Sequence, residues 1–272
     1  MKMSAGRAAV PLLLISALGS AQPFGPSGST FRVNTTTSGY QALPAVGMDG
    51  AGSFVIAWKG AGFHDLFSQR YASSGAALGG EFRVNSSSSF PYSPAVTGSG
   101  TSHFTIVWHA AEMGIPPSVR ARQFVSGVPQ GDEFRVNETT GAYNQFPAVA
   151  SNAAGDFVVV WGRAGVPTNT FDLYGRRFDA LGAPQSGEFL VNTSTTNAHS
   201  GAPSVARSPA GGFAVVWTPN TFPAAVGKVF VRRYDAAGAE GAVFVANGDT
   251  DTATGTSVAY DSSGNLLVVW NG

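Results

Sequence analysis

Cysteine is absent from this sequence of 272 residues. Its absence excludes disulfide bonds, thiolate catalysis and every metal site that is built on cysteine ligands. Charged residues are also scarce, at 12% of the chain, and the 16 basic residues are balanced by 16 acidic ones. A chain without net charge lacks the electrostatic footprint of a protein that binds nucleic acid or an anionic membrane surface. We therefore expect no nucleic-acid partner.

The first 21 residues are typical of a secretory signal. Lys2 and Arg7 precede an apolar stretch over residues 8–18, and small residues follow at 19–21. This stretch is shorter than the roughly 20 apolar residues that a transmembrane helix needs, and no later stretch approaches that length. We therefore expect a cleaved signal peptide over residues 1–21, a linker rich in Gly, Pro and Ser over residues 22–30, and a secreted or periplasmic protein without a membrane span.

Residues 31–272 consist of about five repeats of one unit. A strand-like run ends in tryptophan five times, and these runs contain all five tryptophans of the protein, at Trp58, Trp108, Trp161, Trp217 and Trp270. A valine lies twelve residues before each tryptophan, and a Phe-x-Val-Asn element, first seen at 31–34, recurs with a weakened last copy. Successive tryptophans are 50 to 56 residues apart, close to the roughly 40–50 residues of a propeller blade.

Each repeat contains four short extended runs, which we call a, b, c and d in chain order. Run a holds the valine, run b ends in tryptophan, run c ends in an aromatic residue, and run d is Phe-x-Val-Asn. Run b, for example 157–161, is apolar at both alternating sets of positions, so both of its faces must be covered. Four-stranded sheets packed face to face around an axis satisfy this requirement. The sequence therefore predicts an all-β chain that forms a β-propeller of four-stranded antiparallel blades.

The number of runs predicts an incomplete last blade. Runs a, b and d are each present five times, but run c is present only four times. Either the N-terminal d run and residues 22–29 complete the blade irregularly, or the chain is a piece of a larger array with further repeats or domains. An uncovered edge of run b would otherwise invite pairing with another chain.

The repeat resembles a known kind of sequence. Its pattern of Pro-Ala-Val, Phe-Val-Val-Val-Trp, Arg-Arg-Phe-Asp-Ala-x-Gly and Glu-Phe-x-Val-Asn is similar to repeat arrays of bacterial secreted and surface proteins. The resemblance covers nearly the whole chain, from Phe31 to Trp270. It implies a propeller-like array, and it brings no catalytic motif that could be transferred to this sequence.

Loop lengths indicate where a ligand would bind. The spacing from the valine to the tryptophan never varies, whereas the spacing from the tryptophan to the next c aromatic ranges from 13 to 17 residues. Alternating strand direction places the b–c and d–a connections on one rim, and loops that vary on a constant scaffold usually carry binding. The expected ligand-binding residues on this rim are Tyr40, Gln41, Tyr92, Tyr143, Asn144, Gln145 and His199 in d–a connections, and His64, Asp65 and Arg163 in b–c connections.

Two roles remain open for these rim residues. Tyrosines beside amides can stack on a sugar and form hydrogen bonds with it. The same tyrosines could instead wedge between neighbouring blades. Other side chains recur with the repeat, so we expect them to be structural: the asparagine that ends run d suits a turn, and the arginines of runs c and d would pair with a carboxylate such as Glu81, Glu133 or Glu188.

The sequence shows no cluster of catalytic residues and no metal-site pattern, so we expect no metal or cofactor. It favours a secreted, non-catalytic binding or scaffold module that presents the variable rim to a glycan or protein ligand. The alternative is a propeller-type hydrolase of glycosidase type, with paired acids on the same rim. Asp65, Glu112 and Asp172 are the acids outside the repeat pattern that could serve it.

Overall fold

The computed structural model describes residues 29–60, 62–164, 171–193, 202–218, 227–248 and 253–272. All regular structure in these residues is β-strand, arranged in antiparallel sheets whose strands follow one another in chain order. The all-β prediction is therefore confirmed. Nowhere in these residues is there a helix long and apolar enough to span a membrane. The predicted signal peptide lies outside the described residues.

Five blades follow one another along the chain. Among the described strands, three blades have the expected four, blade 2 has five and blade 5 has two. Blade 1 contains β1 (Ala42–Met48), β2 (Phe54–Lys59), β3 (Leu66–Tyr71) and β4 (Phe82–Arg83). Blade 2 contains β5 (Phe90–Ser99), β6 (His103–Glu112), β7 (Ile115–Val125), the short additional strand β8 (Val128–Pro129) and β9 (Phe134–Arg135). Blade 3 contains β10 (Tyr143–Ser151), β11 (Phe157–Ala164), β12 (Phe171–Phe178) and β13 (Phe189–Leu190). Blade 4 contains β14 (Ser204–Arg207), β15 (Phe213–Trp217), β16 (Phe230–Tyr234) and β17 (Phe244–Val245), and blade 5 contains β18 (Thr254–Tyr260) and β19 (Leu266–Asn271).

The hydrophobic core lies between the blades. Separate clusters join blades 1 and 2, blades 2 and 3, blades 3 and 4, and blades 4 and 5. Alternate residues of each inner b strand belong to two different clusters: Val158 and Val160 face blade 4, and Val159 and Trp161 face blade 2. Both faces of strand b are thus covered, which is why its sequence is apolar throughout.

The asparagine that ends run d ties strand c to its own blade. Its Oδ1 accepts a hydrogen bond from a backbone N–H in, or directly before, strand c in four blades. The donors and acceptors are Leu66 to Asn85 at 2.9 Å, and Val119 to Asn137, Leu173 to Asn192 and Val229 to Asn247 at 2.8 Å. The repeated asparagine is structural, as the repeat phase predicts.

The repeated arginines of strand c bind the preceding blade. Their Nη1 atoms donate to main-chain carbonyls of the neighbouring d run, Arg122 to Val84 at 2.9 Å, Arg176 to Val136 at 3.0 Å and Arg232 to Val191 at 2.9 Å. Repeated arginines also pair with carboxylates, as expected, but with other partners than Glu81, Glu133 and Glu188: Arg176 lies 2.7 Å from Glu138 and Arg232 lies 2.8 Å from Glu240. A guanidinium offers five donors, so one side chain can bind both a carboxylate and a backbone carbonyl of the preceding blade.

The three glutamates instead clamp the segment that follows the previous d run. Glu133 accepts a hydrogen bond from the backbone N–H of Ser86 at 2.9 Å, and Glu188 accepts one from Glu138 at 2.8 Å. Glu81 accepts the Thr35 hydroxyl in the same way, at 2.6 Å. Residues 31–34 therefore lie on blade 1 where the d run of a preceding blade would lie, and the Tyr71 hydroxyl donates to the Val33 carbonyl at 3.0 Å.

The described strands leave the last blade incomplete, as predicted. Blade 5 has strands a and b alone among the described residues. On blade 1, the repeated valine of strand a, Val46, is 63% exposed, whereas the equivalent Val96 of blade 2 is 9% exposed because it packs on blade 1. Val269 of blade 5 is also exposed. In the described part of the chain, one face of blade 1 and one face of blade 5 are thus open.

Candidate functional site

A bulge shapes the start of strand a, where that strand reaches the b–c/d–a rim. The pairing with strand b shifts register at the same place in three neighbouring blades, between Ala42 and Ala45, between Tyr92 and Ala95, and between Gln145 and Ala148. Each bulge contains one non-glycine residue with positive φ, at Leu43, Ser93 and Phe146. Such bulges redirect side chains at sheet ends, so the residues just before them are presented at the rim.

Two of the expected ligand-binding residues are bound to the core instead. The indole Nε1 of Trp58 donates to Oε1 of Gln41 at 2.8 Å, and Nε1 of Trp161 donates to Oδ1 of Asn144 at 3.0 Å. Gln41 and Asn144 each lie 17 residues before the tryptophan that they bind, so this spacing was visible in the sequence. Gln41 and Asn144 therefore satisfy buried indoles, as buried tryptophan requires.

Arg163 is also engaged within the protein. Its Nε donates to Asn144 at 3.0 Å, its Nη2 forms an ion pair with Glu188 at 2.5 Å, and its guanidinium lies 3.8 Å from the centre of the Tyr174 ring. Burial alone would raise the pKa of Glu188, but hydrogen bonds, above all those from Arg163 and from the backbone of Glu138, lower it below its usual range. Arg163 thus binds three residues of its own blade rather than a ligand.

His64 and Asp65 fasten the b–c connection of blade 1. Asp65 forms an ion pair with Arg83 at 3.0 Å. The His64 ring packs on Phe90 at 4.2 Å, and its Nδ1 lies 2.5 Å from the carbonyl oxygen of Ser88. The two contacts of His64 are with Ser88 in the d–a connection and with Phe90 at the start of β5. The b–c connection of blade 1 therefore packs against the segment that leads into blade 2.

The structure brings Tyr92 together with two residues of neighbouring b strands. The Lys59 ammonium lies 3.6 Å from the centre of the Tyr92 ring, and the His109 ring is tilted against the same tyrosine at 5.6 Å. Burial, and then the charge of Lys59, lower the pKa of His109 to about 4. Sequence analysis missed Lys59, although a signal existed: the residue directly after the b tryptophan is Gly162, Thr218 or Asn271 in blades 3 to 5.

The remaining rim residues do not join this group. Tyr40 and Tyr143 are exposed, so the alternative that they wedge between blades is wrong for both. Gln145 is half-buried opposite Gly162. His199 lies outside the described residues.

The three acids that stand outside the repeat all lie on the b–c side of their blades. Besides Asp65, Glu112 at the end of β6 is 3.8 Å from Arg120, and Asp172 accepts a hydrogen bond from Asn192 at 3.0 Å. The described residues contain no group of three or more His, Asp or Glu side chains arranged to hold a metal ion.

Known proteins resemble this chain in fold. No protein-family model matches the sequence, and no curated protein matches it significantly. Among solved structures, an endo-arabinase from Bacteroides thetaiotaomicron is similar, with a TM-score of 0.53, 10% identity, and coverage of 90% of this chain and 93% of that one. An α-L-arabinanase from Penicillium chrysogenum, in complex with arabinobiose, has a TM-score of 0.58, 13% identity, and coverage of 84% and 74%. The α-L-arabinofuranosidase Arb93A from Fusarium graminearum has a TM-score of 0.52, 14% identity, and coverage of 81% and 67%.

These structures confirm the β-propeller fold and correct the functional prediction. The expectation of a non-catalytic binding or scaffold module is wrong, because the propellers that match along most of the chain are named as enzymes that cleave glycans. They agree with the alternative, a propeller-type hydrolase. The error has a physical source: a propeller can gather its acids from separate blades, so a hydrolase of this fold need not show a local motif.

Proposed function

We propose that the protein is a propeller-type glycoside hydrolase with its acids on the b–c/d–a rim. The observation that carries the proposal is the difference between the two rims. The opposite rim repeats the same turn, with Asp49, Asn152 and Asp261 each accepting hydrogen bonds from the backbone of the turn that they begin. Aromatic, cationic and acidic side chains that break the repeat gather on the b–c/d–a rim.

A glycosidase needs two carboxyl groups, one to protonate the leaving oxygen and one to attack the sugar or to activate water. We assign the first role to Glu112, which is partly exposed on the β6–β7 hairpin and whose ion pair, 3.8 Å to Arg120, is longer than that of Asp65. We assign the second role to Asp65, which Arg83 holds at 3.0 Å in the neighbouring blade. The ion pair fixes the orientation of the Asp65 carboxylate, which suits a group that must attack one carbon atom of the sugar or position the water that attacks it.

The structural neighbours indicate which substrates to test first. They are named as an arabinase, an arabinanase and an arabinofuranosidase, so arabinose-containing polysaccharides head the panel. An exported enzyme would meet such polymers outside the cell, which agrees with the signal predicted over residues 1–21.

The purified protein should be incubated with arabinan, arabino-oligosaccharides and other plant polysaccharides, with products identified by mass spectrometry. We expect cleavage of at least one glycan, and a loss of about 100-fold or more in rate for Glu112→Gln and for Asp65→Asn. Asp132→Asn, at an exposed acid of the opposite rim, is the matched control and should keep the full rate. Absence of cleavage across the panel, or wild-type rates in both rim variants, would refute the proposal.

A further inference from the structure

Lys59 is a buried cation at a place where the repeat does not require one. It directly follows the tryptophan of strand b in blade 1, and only 4% of its surface is exposed. The equivalent residues of the other blades are His109, Gly162, Thr218 and Asn271. Blades of this propeller therefore form without a lysine at this position. A structural role that every repeat needs does not explain the presence of Lys59.

The ammonium of Lys59 has no acidic partner in the described part of the chain. Asp65 belongs to the same b–c connection, but Arg83 occupies it at 3.0 Å. The contacts of the Lys59 ammonium are with aromatic rings, at 3.6 Å from the centre of Tyr92 and 6.0 Å from that of Phe63. Cation–π contacts offset part of the cost of desolvating a charge, but a buried cation is ordinarily paired with an anion.

His109, which contacts the same tyrosine as Lys59, adds no second charge. Its low pKa, about 4, keeps the imidazole neutral near pH 7. The His109 Nε2 atom is itself buried without a hydrogen-bond partner. Beside the ammonium, Phe63 is 69% exposed and Tyr92 is 36% exposed, so aromatic surface borders the charge on the side that faces solvent.

We propose that Lys59, Tyr92 and Phe63 form a subsite for an acidic sugar, with the Lys59 ammonium binding the carboxylate of a uronic-acid residue. One positive charge matches one monoanionic group, and exposed aromatic rings suit the apolar face of a pyranose. A neutral sugar would leave the ammonium unpaired, so the subsite discriminates by charge. The inference deepens the proposed function and rests on it for the assignment of a glycan as the ligand.

Calorimetric titration can test the subsite without any turnover. Methyl glucuronide and methyl glucoside differ in the carboxylate alone, and we expect wild-type protein to bind the glucuronide. Lys59→Gln should weaken that binding by roughly 10- to 100-fold, the range for loss of a hydrogen bond to a charged group. Lys228→Gln, which alters the lysine two residues before β16 that donates to the Gly248 carbonyl, is the matched control and should bind as wild type does. Acetate and glucose 6-sulfate distinguish a sugar carboxylate from a free carboxylate and from another monoanion.

A measurement on the wild-type protein guards against a variant that fails to fold. Binding of a carboxylate at Lys59 should shift the imidazole NMR signals of His109, because both residues contact Tyr92. The inference would be overturned if the protein bound glucuronide and glucoside equally well, or if it bound acetate or glucose 6-sulfate as tightly as the glucuronide. An unchanged His109 signal on addition of the glucuronide would overturn it too. Cleavage of neutral arabinan without preference for uronate would overturn the subsite alone, whereas glucuronide binding without any cleavage would overturn the hydrolase alone.

Discussion

Asn144 accepts the indole N–H of Trp161 at 3.0 Å, and the residue at the same place before Trp108 is Pro91, which has no side-chain acceptor. The Trp108 Nε1 atom is correspondingly buried without a hydrogen-bond partner. One repeated position thus stabilises the core in blade 3 and leaves a polar atom unsatisfied in blade 2.

Asn144→Ala should destabilise the protein by about 1–3 kcal/mol, because it leaves the Trp161 indole buried and unsatisfied and removes a partner of Arg163. Chemical denaturation measures the change in the free energy of unfolding. Gln145→Ala, at the neighbouring half-buried position, serves as the control and should change it by less than about 0.5 kcal/mol. Equal effects of the two substitutions would show that the hydrogen bond to Trp161 does not stabilise the blade.

The open face of blade 1 predicts different effects at equivalent valines. Val96→Ala should cost roughly 1–2 kcal/mol, since Val96 packs in the core between blades 1 and 2. Val46→Ala should cost less than about 0.5 kcal/mol, because Val46 is 63% exposed. Thermal unfolding of both variants tests whether another blade covers blade 1 in solution: a large loss at Val46 would mean that it does.

At Gly98, strand a of blade 2 lies close to the backbone of strand a in blade 1. A Cβ atom at Gly98 would overlap the carbonyl group of Met48 and the backbone nitrogen of Asp49, neither of which can move independently of the chain. We expect Gly98→Ala to destabilise the protein by about 1–3 kcal/mol or more through overpacking. At Gly141 a Cβ atom meets open space, so Gly141→Ala should be nearly neutral in the same denaturation experiment. Equal stability of the two variants would contradict this packing.

His109 should make the protein less stable in acid. Its folded-state pKa, about 4, lies below the ordinary value of 6.5 because of burial and the charge of Lys59. Between these two values the unfolded chain binds more protons than the folded one, so the free energy of unfolding falls as the pH falls from 6.5 to 4 and levels off below. The contribution of this residue is roughly 3 kcal/mol.

Comparison of wild type with His109→Gln isolates that contribution from the carboxylates that titrate in the same range. The variant should lose part of the decline between pH 6.5 and 4, whereas His103→Gln, at an exposed histidine, should retain all of it. Parallel stability curves for wild type and His109→Gln would show that His109 is not held neutral by its surroundings.

The sequence by itself determined the architecture. Apolar residues at both alternating positions of 157–161 required cover on two faces, and five tandem copies supplied that cover. The count of c runs also predicted the incomplete last blade. Both properties follow from sequence patterns within each repeat, so they can be predicted without knowing any distance between atoms in the folded chain.

The tertiary structure alone decided which rim residues are free and which are used by the fold. Gln41 and Asn144 look like ligand-binding amides until the indoles that they bind are seen, and Arg163 is taken up by Glu188 of its own blade. Lys59 gained its significance only from burial against Tyr92, a residue of the next blade. Burial and pairing across blades depend on contacts between residues dozens of positions apart, and repeat spacing carries no information about how those side chains meet.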